Sequence, residues 1–92
     1  MAYTTVNKST DYFNTKTWTG TGSSNALTGL GFQPDMVWNK IRNSSGSHRL
    51  TDAVRGVTKE IYPDLSETED TQAQGVTAFG TDGFTVGTNA GY

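Results

Sequence analysis

Leu27-Thr28-Gly29-Leu30-Gly31-Phe32-Gln33-Pro34-Asp35-Met36-Val37-Trp38 reads as a strand, a glycine turn, a proline-fixed corner and a second strand. Gly29 and Gly31 alternate with apolar neighbours, and glycine reaches positive φ without steric cost. Pro34 fixes its own φ and pushes Gln33 toward extended geometry. The corner is expected to bring Leu27, Leu30, Phe32, Val37 and Trp38 to one buried place.

Upstream of the corner, residues 11–19 hold Tyr12, Phe13, Thr15, Thr17 and Trp18, all strand formers, and predict a strand. Gly20-Thr21-Gly22-Ser23-Ser24-Asn25 is a turn signal, so residues 26–28 are expected to return as the partner in a hairpin. Residues 1–10 are polar and threonine-rich and predict an extended N-terminal arm, held by a neighbour.

Downstream, residues 36–42 predict a strand with Val37 and Ile41 on one face and Trp38, Lys40 and Arg42 on the other. Asn43 to Ser47 reads as a loop, residues 48–52 as a short extended segment, and residues 58–62 as a strand after a turn at Gly56. Ser66-Glu67-Thr68-Glu69 has capping-box spacing and predicts a single helical turn. Val76 to Phe79 and Phe84 to Val86 flank Gly80-Thr81-Asp82-Gly83, a hairpin signal. The expected loop is Thr81-Asp82-Gly83, with Gly83 left-handed and Phe84 across from Gly80.

Six or so short strands spaced by turns predict an all-β fold, an antiparallel β-sandwich over residues 11–92. Ninety-two residues make one small domain with a modest core. Large aliphatics are few, two Ile, four Leu and six Val, so aromatics are expected to fill the interior. The candidates are Phe13, Trp18, Phe32, Trp38, Phe79 and Phe84, with Tyr12 and Tyr62. There is no cysteine, which excludes disulfides and thiolate metal sites.

A net charge of −2 argues against a phosphate-driven nucleic-acid partner. No apolar run reaches the roughly 18 residues of a membrane span, so membrane insertion is not expected. Met1 to Lys8 lacks the basic start and apolar run of a signal peptide, which predicts expression in a cytoplasm. Two glycosylation sequons, at Asn7 and Asn43, are then read as chance.

The chemistry-bearing residues are few. His48 and Asp52 with a serine would suggest a hydrolase, but no nucleophile-elbow motif accompanies them. Asp64, Glu67, Glu69 and Asp70 form an acidic run, without the spacing of a calcium loop. No catalytic residue, metal ligand or cofactor site is expected. Lys40, Arg42, Arg49, Arg55 and Lys59 concentrate positive charge just before that acidic run. One copy's basic segment is expected to dock on another's acidic turn, although such pairs also form within a chain. Trp18, Trp38 and Tyr62 form an alternative set for stacking on sugars, with Asn14 and Asn39 to bond hydroxyls; the shortage of aliphatics favours core instead.

The motifs together resemble a β-rich domain of tailed-bacteriophage virion proteins, especially those of marine phages. The resemblance rests on Tyr12-Phe13, Thr17-Trp18-Thr19-Gly20-Thr21-Gly22, the corner from Gly29 to Trp38, His48-Arg49-Leu50, Asp52, Val54-Arg55-Gly56 and Asp82 to Gly87. It covers most of residues 11–87. It implies a virion structural role, in a tail fibre or as a capsid or tail accessory, and a jelly-roll or lectin-like sandwich. It carries no catalytic residues. It also implies a further Trp-containing strand after the last glycine turn, where this sequence ends at Tyr92. The expectation is an incomplete sandwich closed by a neighbouring chain, or a piece of a longer protein. A homo-oligomer in the virion, made in the host cytoplasm before assembly and bound to other virion proteins, is the first functional expectation; recognition of host-surface glycans is the second.

Overall fold

The quoted corner forms, and its closing partner is remote in sequence. In the computed structural model, which describes residues 8–92, Gly29 and Gly31 adopt φ of +88° and +84°. Their amides donate to the Asp82 carboxylate, and the Leu30 amide donates to the Asp82 carbonyl oxygen at 3.0 Å. This ties the corner to the last hairpin. Leu27, Leu30 and Val37 are buried there with Val76, Phe84 and Val86, and Trp18, Phe32, Phe79 and Tyr92 pack around them.

The protein is all-β and antiparallel. After one 3-10 turn, Ser9–Asp11, seven strands follow: β1 (Asn25–Leu27), β2 (Met36–Asn39), β3 (Arg49–Asp52), β4 (Lys59–Glu60), β5 (Asp70–Thr71), β6 (Val76–Gly80) and β7 (Gly83–Val86). One sheet has the order β1-β7-β6. β2 pairs with β3, and β4 with β5. Leu50 and Ile61 exchange both main-chain bonds, at 2.9 and 3.0 Å, which runs these two pairs together as β2-β3-β4-β5.

Several expectations need correction. Residues 11–19 form no strand, because the partner of β1 is β7, in the register Leu27–Phe84. Tyr12 and Phe13 are consequently exposed rather than core. The last hairpin has a two-residue loop, Thr81-Asp82, with Phe79 opposite Phe84 and Gly80 opposite Gly83. Gly83 is not left-handed. It is glycine because a Cβ there would run into the Leu27 main chain. Residues 66–69 form no helical turn: Glu69 faces Arg55, and the chain proceeds straight into β5. Of the expected arm, residues 1–7 lie outside the described residues, and Ser9 and Thr10 open the 3-10 turn.

Trp38 is the correction with the largest consequence. β2 ends at Asn39 and buries Val37 and Asn39, so Met36 and Trp38 face outward, 56% and 59% exposed. Across β3 and β4 the same parity continues. Thr51 and Glu60 are buried on the inner face, while Leu50 and Ile61 join Trp38 outside. Apart from Val37, which joins the core, this sheet therefore turns polar side chains inward and an apolar row outward, opposite to the usual half-buried sheet.

Candidate functional site

The polar inner face has a carboxylate at its centre. Glu60 is 1% exposed. Its Oε1 accepts from Arg49 Nη1 at 2.8 Å and from the Tyr62 hydroxyl at 2.9 Å. Its Oε2 accepts from the Tyr92 hydroxyl. A buried charge needs such pairing, since leaving water is expensive. The Arg49 guanidinium lies 5.9 Å from the Tyr62 ring centre and 5.1 Å from that of Tyr92, within cation–π reach. The Tyr62 hydroxyl also lies 3.0 Å from Asp70 Oδ2, which accepts from Gln72 Nε2 as well. Gln72 in turn accepts from Asn89.

The cluster thus clamps β3, β4, β5 and the segment ending at Tyr92. Burial, then bonding to Glu60 and Asp70, pushes the Tyr62 phenol up to about 12. Burial and Glu60 also raise Tyr92. Bonds from Gln72, Tyr62 and the Thr71 amide hold Asp70 below the usual carboxylate range. Phenols held protonated in this way serve as donors at neutral pH, not as bases.

The charged residues singled out in the sequence divide into two groups. Arg49 and Arg55 make their pairs within the chain. Arg55 Nε meets Asp52 Oδ2 at 2.8 Å, its amide donates to Asp52 Oδ1 at 2.7 Å, and its Nη1 lies 3.6 Å from Glu69. The Arg55 amide and guanidinium hold the Asp52 carboxyl below its ordinary value. Lys59 donates to Thr71 Oγ1 at 2.7 Å. Lys40, Arg42 and Glu67 remain exposed.

The acidic run is likewise dispersed. Asp64 accepts from the His48 amide at 3.1 Å, Glu69 faces Arg55, and Asp70 faces Tyr62. Among the described residues no group of three or more His, Asp or Glu side chains is placed to hold a metal ion. His48 and Asp52 have different partners. His48 Nδ1 accepts from the Trp38 indole at 3.0 Å, which requires its ring proton on Nε2, while Asp52 holds Arg55.

Lys40 and Arg42 stand at an open groove of about 760 Å³, which Lys16, Trp18, Asn39 and Tyr92 also line. The groove runs between residues 16–25, the end of β2 with residues 40–43, and residues 86–92. Trp18 is held in its wall by an edge-to-face contact with Phe84, centroids 5.8 Å apart. Trp38 lines the groove too, whereas Tyr62 belongs to the Glu60 cluster, so the sugar-stacking set is split. Asn39 is buried, and its Oδ1 has no partner among the described residues. Thr51 Oγ1, on β3's inner face opposite Val37, has no partner among the described residues either.

The sequence reading missed Glu60 and Tyr92 as the centre of the clamp. A strand parity placing Thr51 and Glu60 on one face was the available signal; Tyr92, 32 residues beyond Glu60, offered none.

Residues 8–92 match the family described as Domain of unknown function (DUF7483), and the chain belongs to that family. No curated protein and no solved structure matches it.

Proposed function

We propose that this DUF7483 member is a bacteriophage virion structural protein, a tail-fibre or capsid/tail accessory component. It works by assembling with copies of itself and with other virion proteins. One observation carries the reading: Met36, Trp38 and Ile61 are exposed as an apolar row on the outer face of β2-β3-β4, while Arg49, Thr51 and Glu60 face inward. Contiguous exposed apolar surface of this kind marks interaction sites, and Trp and Met are enriched at interface centres. His48 fixes the Trp38 indole from the side, so the ring is presented in one orientation. Burying the row would convert a thin domain into a sandwich-like assembly with a shared core. The resemblance of the motifs to phage virion domains supplies the setting.

Sedimentation equilibrium tests the reading. The chain is expected to self-associate at micromolar concentrations, and Met36→Lys with Trp38→Lys is expected to return a monomer with unchanged circular dichroism. Mass spectrometry of purified phage particles is expected to find the chain in many copies per particle. A folded monomer, with the chain missing from particles, would overturn it.

Recognition of host-surface glycans is the second reading. The groove supports it, with Trp18 in its wall and amide and hydroxyl groups around it. Glycan-array binding lost on Trp18→Ala with the fold retained would favour it over assembly.

A further inference from the structure

The groove and one edge of β2 meet at Trp38. Antiparallel strands alternate bonded and non-bonded residue pairs. Ala53 donates to the Asp35 carbonyl at 2.8 Å, and Leu50 gives both its main-chain bonds to Ile61. The bonded pairs of β2 and β3 are therefore Val37–Thr51 and Asn39–Arg49, in the observed register. The main-chain N–H and C=O of Met36 and Trp38 point away from β3. Among the described residues no strand pairs with that edge. Unpaired edges are templates for added strands.

The groove beside this edge has a definite chemistry. Lys16, Lys40 and Arg42 line it, and no Asp or Glu side chain does. The chain as a whole has nine acidic and seven basic residues, so this is a local reversal of sign. Asn39 adds a polar requirement. It is 6% exposed, lines the groove, and leaves Oδ1 without a donor. Buried acceptors are normally satisfied, and no described residue donates to this one.

We infer that the groove receives an extended acidic polypeptide segment of a partner chain, added as a strand on β2. Its main chain meets the outward N–H and C=O of Trp38. Its carboxylates lie against Lys16, Lys40 and Arg42, and one of its donors reaches Asn39 Oδ1. A glycan could use the walls but would leave the β2 edge unpaired; strand addition satisfies both. The inference rests on the reading that this protein acts by binding other chains, and it names the free edge of β2 with its groove, which meets the outer apolar row at Trp38.

The test uses the full chain and its own fluorescence, because both of its tryptophans, Trp18 and Trp38, line the groove. The probe is a capped peptide of alternating Thr and Glu, about ten residues long, the upper end of common strand lengths. At low ionic strength it is expected to shift the emission saturably. The same peptide N-methylated at alternate residues keeps its charge but cannot pair, and is expected to bind about ten-fold more weakly or worse. A Thr-Lys peptide is expected to have no effect. Lys16→Glu with Arg42→Glu, both exposed positions, is expected to weaken the Thr-Glu peptide about ten-fold or more.

Equal binding of the N-methylated peptide, or alginate binding as well as the Thr-Glu peptide, would overturn strand addition in favour of a site that reads only negative charge. No emission shift at millimolar peptide would overturn the inference outright. If the chain self-associates through Met36 and Trp38 yet ignores the peptide, this inference fails alone. If it binds the peptide but stays monomeric and is missing from particles, the assembly reading fails instead.

Discussion

The Asp82 carboxylate accepts the Gly31 amide at 2.7 Å, across 51 residues of sequence. Its other oxygen accepts the Gly29 amide at 2.9 Å. Two left-handed glycines thus present their amides, two residues apart, to one carboxylate, an anion-binding concavity whose anion is built into the chain. The β6–β7 turn and the glycine corner fix each other, which seats Leu27, Leu30 and Phe84 in one core.

Asp82→Asn is therefore expected to lower the melting temperature on the order of 5 °C, the range for losing one good hydrogen bond in a domain this size. The amide nitrogen would face an N–H donor. The glycine amides hold the Asp82 carboxyl below the usual carboxylate range. The sign follows. Stability from this group is present above the unfolded value near 4 and is lost as pH falls through the lower folded value. Thermal melts from neutral to acid pH should show a shallower acid decline for Asp82→Asn than for wild type. Parallel curves would refute the assignment.

Gly83→Ala tests the hairpin directly. A Cβ at this position meets the Leu27 carbonyl, a main-chain atom with no freedom to move aside while β1 pairs with β7. The expected outcome is loss of cooperative unfolding or insoluble expression. Gly22→Ala, where a Cβ meets nothing within 4 Å, is the comparison. Gly22 has φ of +72°, so alanine there is expected to cost about 1 kcal/mol from backbone strain alone. Similar behaviour of the two variants would mean that strand proximity is not the constraint.

Much of this was legible in sequence, and the failures have physical causes. Asp82-Gly83 announced the hairpin, and Gly29, Gly31 and Pro34 announced the corner, because glycine and proline act locally. The partner of β1 was not legible. Residues 11–19 have strand-forming side chains, but Phe84 packs on Leu27 from 57 residues away and β7 takes the edge. The alternation of Val37 with Trp38 was visible too; which face was inside was not. That depends on Glu60 finding Arg49, Tyr62 and Tyr92, and on Trp38 finding His48 instead of the core.

Thr58 is the one non-glycine residue among those described with positive φ, at 67°. A β-branched side chain is poorly suited to that region. The position is held because its amide donates to Val76 at 2.9 Å and its carbonyl accepts from Gln72 at 2.7 Å, joining β4 to β5 and β6. Thr58→Asn is expected to stabilise by about 1 kcal/mol, since Asn tolerates the left-handed region. Thr58→Val should give no gain. Urea midpoints check both, and a gain for Val would show that the hydroxyl, not the backbone, was at fault.

Tyr62 predicts an alkaline limit. Its phenol is pushed up to about 12 in the fold, by burial first and then by Glu60 and Asp70, against an ordinary value of 10. The unfolded chain therefore releases this proton earlier. The stability it contributes is complete below 10 and is lost as pH rises from 10 toward about 12. Tyr62→Phe should be less stable than wild type at neutral pH, with the gap narrowing above pH 10. A constant gap in urea midpoints across that window would exclude the coupling.

Glu60 and Arg49 should behave as one unit. Glu60 is 1% exposed and Arg49 is 17% exposed at the side chain, so the carboxylate is shut off from water and the guanidinium reaches it only in part. Glu60→Gln leaves the guanidinium in a buried site without its counter-charge, and is expected to cost about 3 kcal/mol or more. Arg49→Met leaves the carboxylate in the same position and also removes the cation from the Tyr92 ring 5.1 Å away. The double variant removes both charges, and its loss should fall short of the summed single losses by about 1–3 kcal/mol. It should not reach wild-type stability, because one of the Tyr62 and Tyr92 hydroxyls then faces a neutral amide oxygen and the other an amide NH2 in place of a carboxylate. Urea unfolding of the four proteins measures the cycle. Strict additivity would mean that the two side chains hold the strands separately and that the inward face is not organised by their charge.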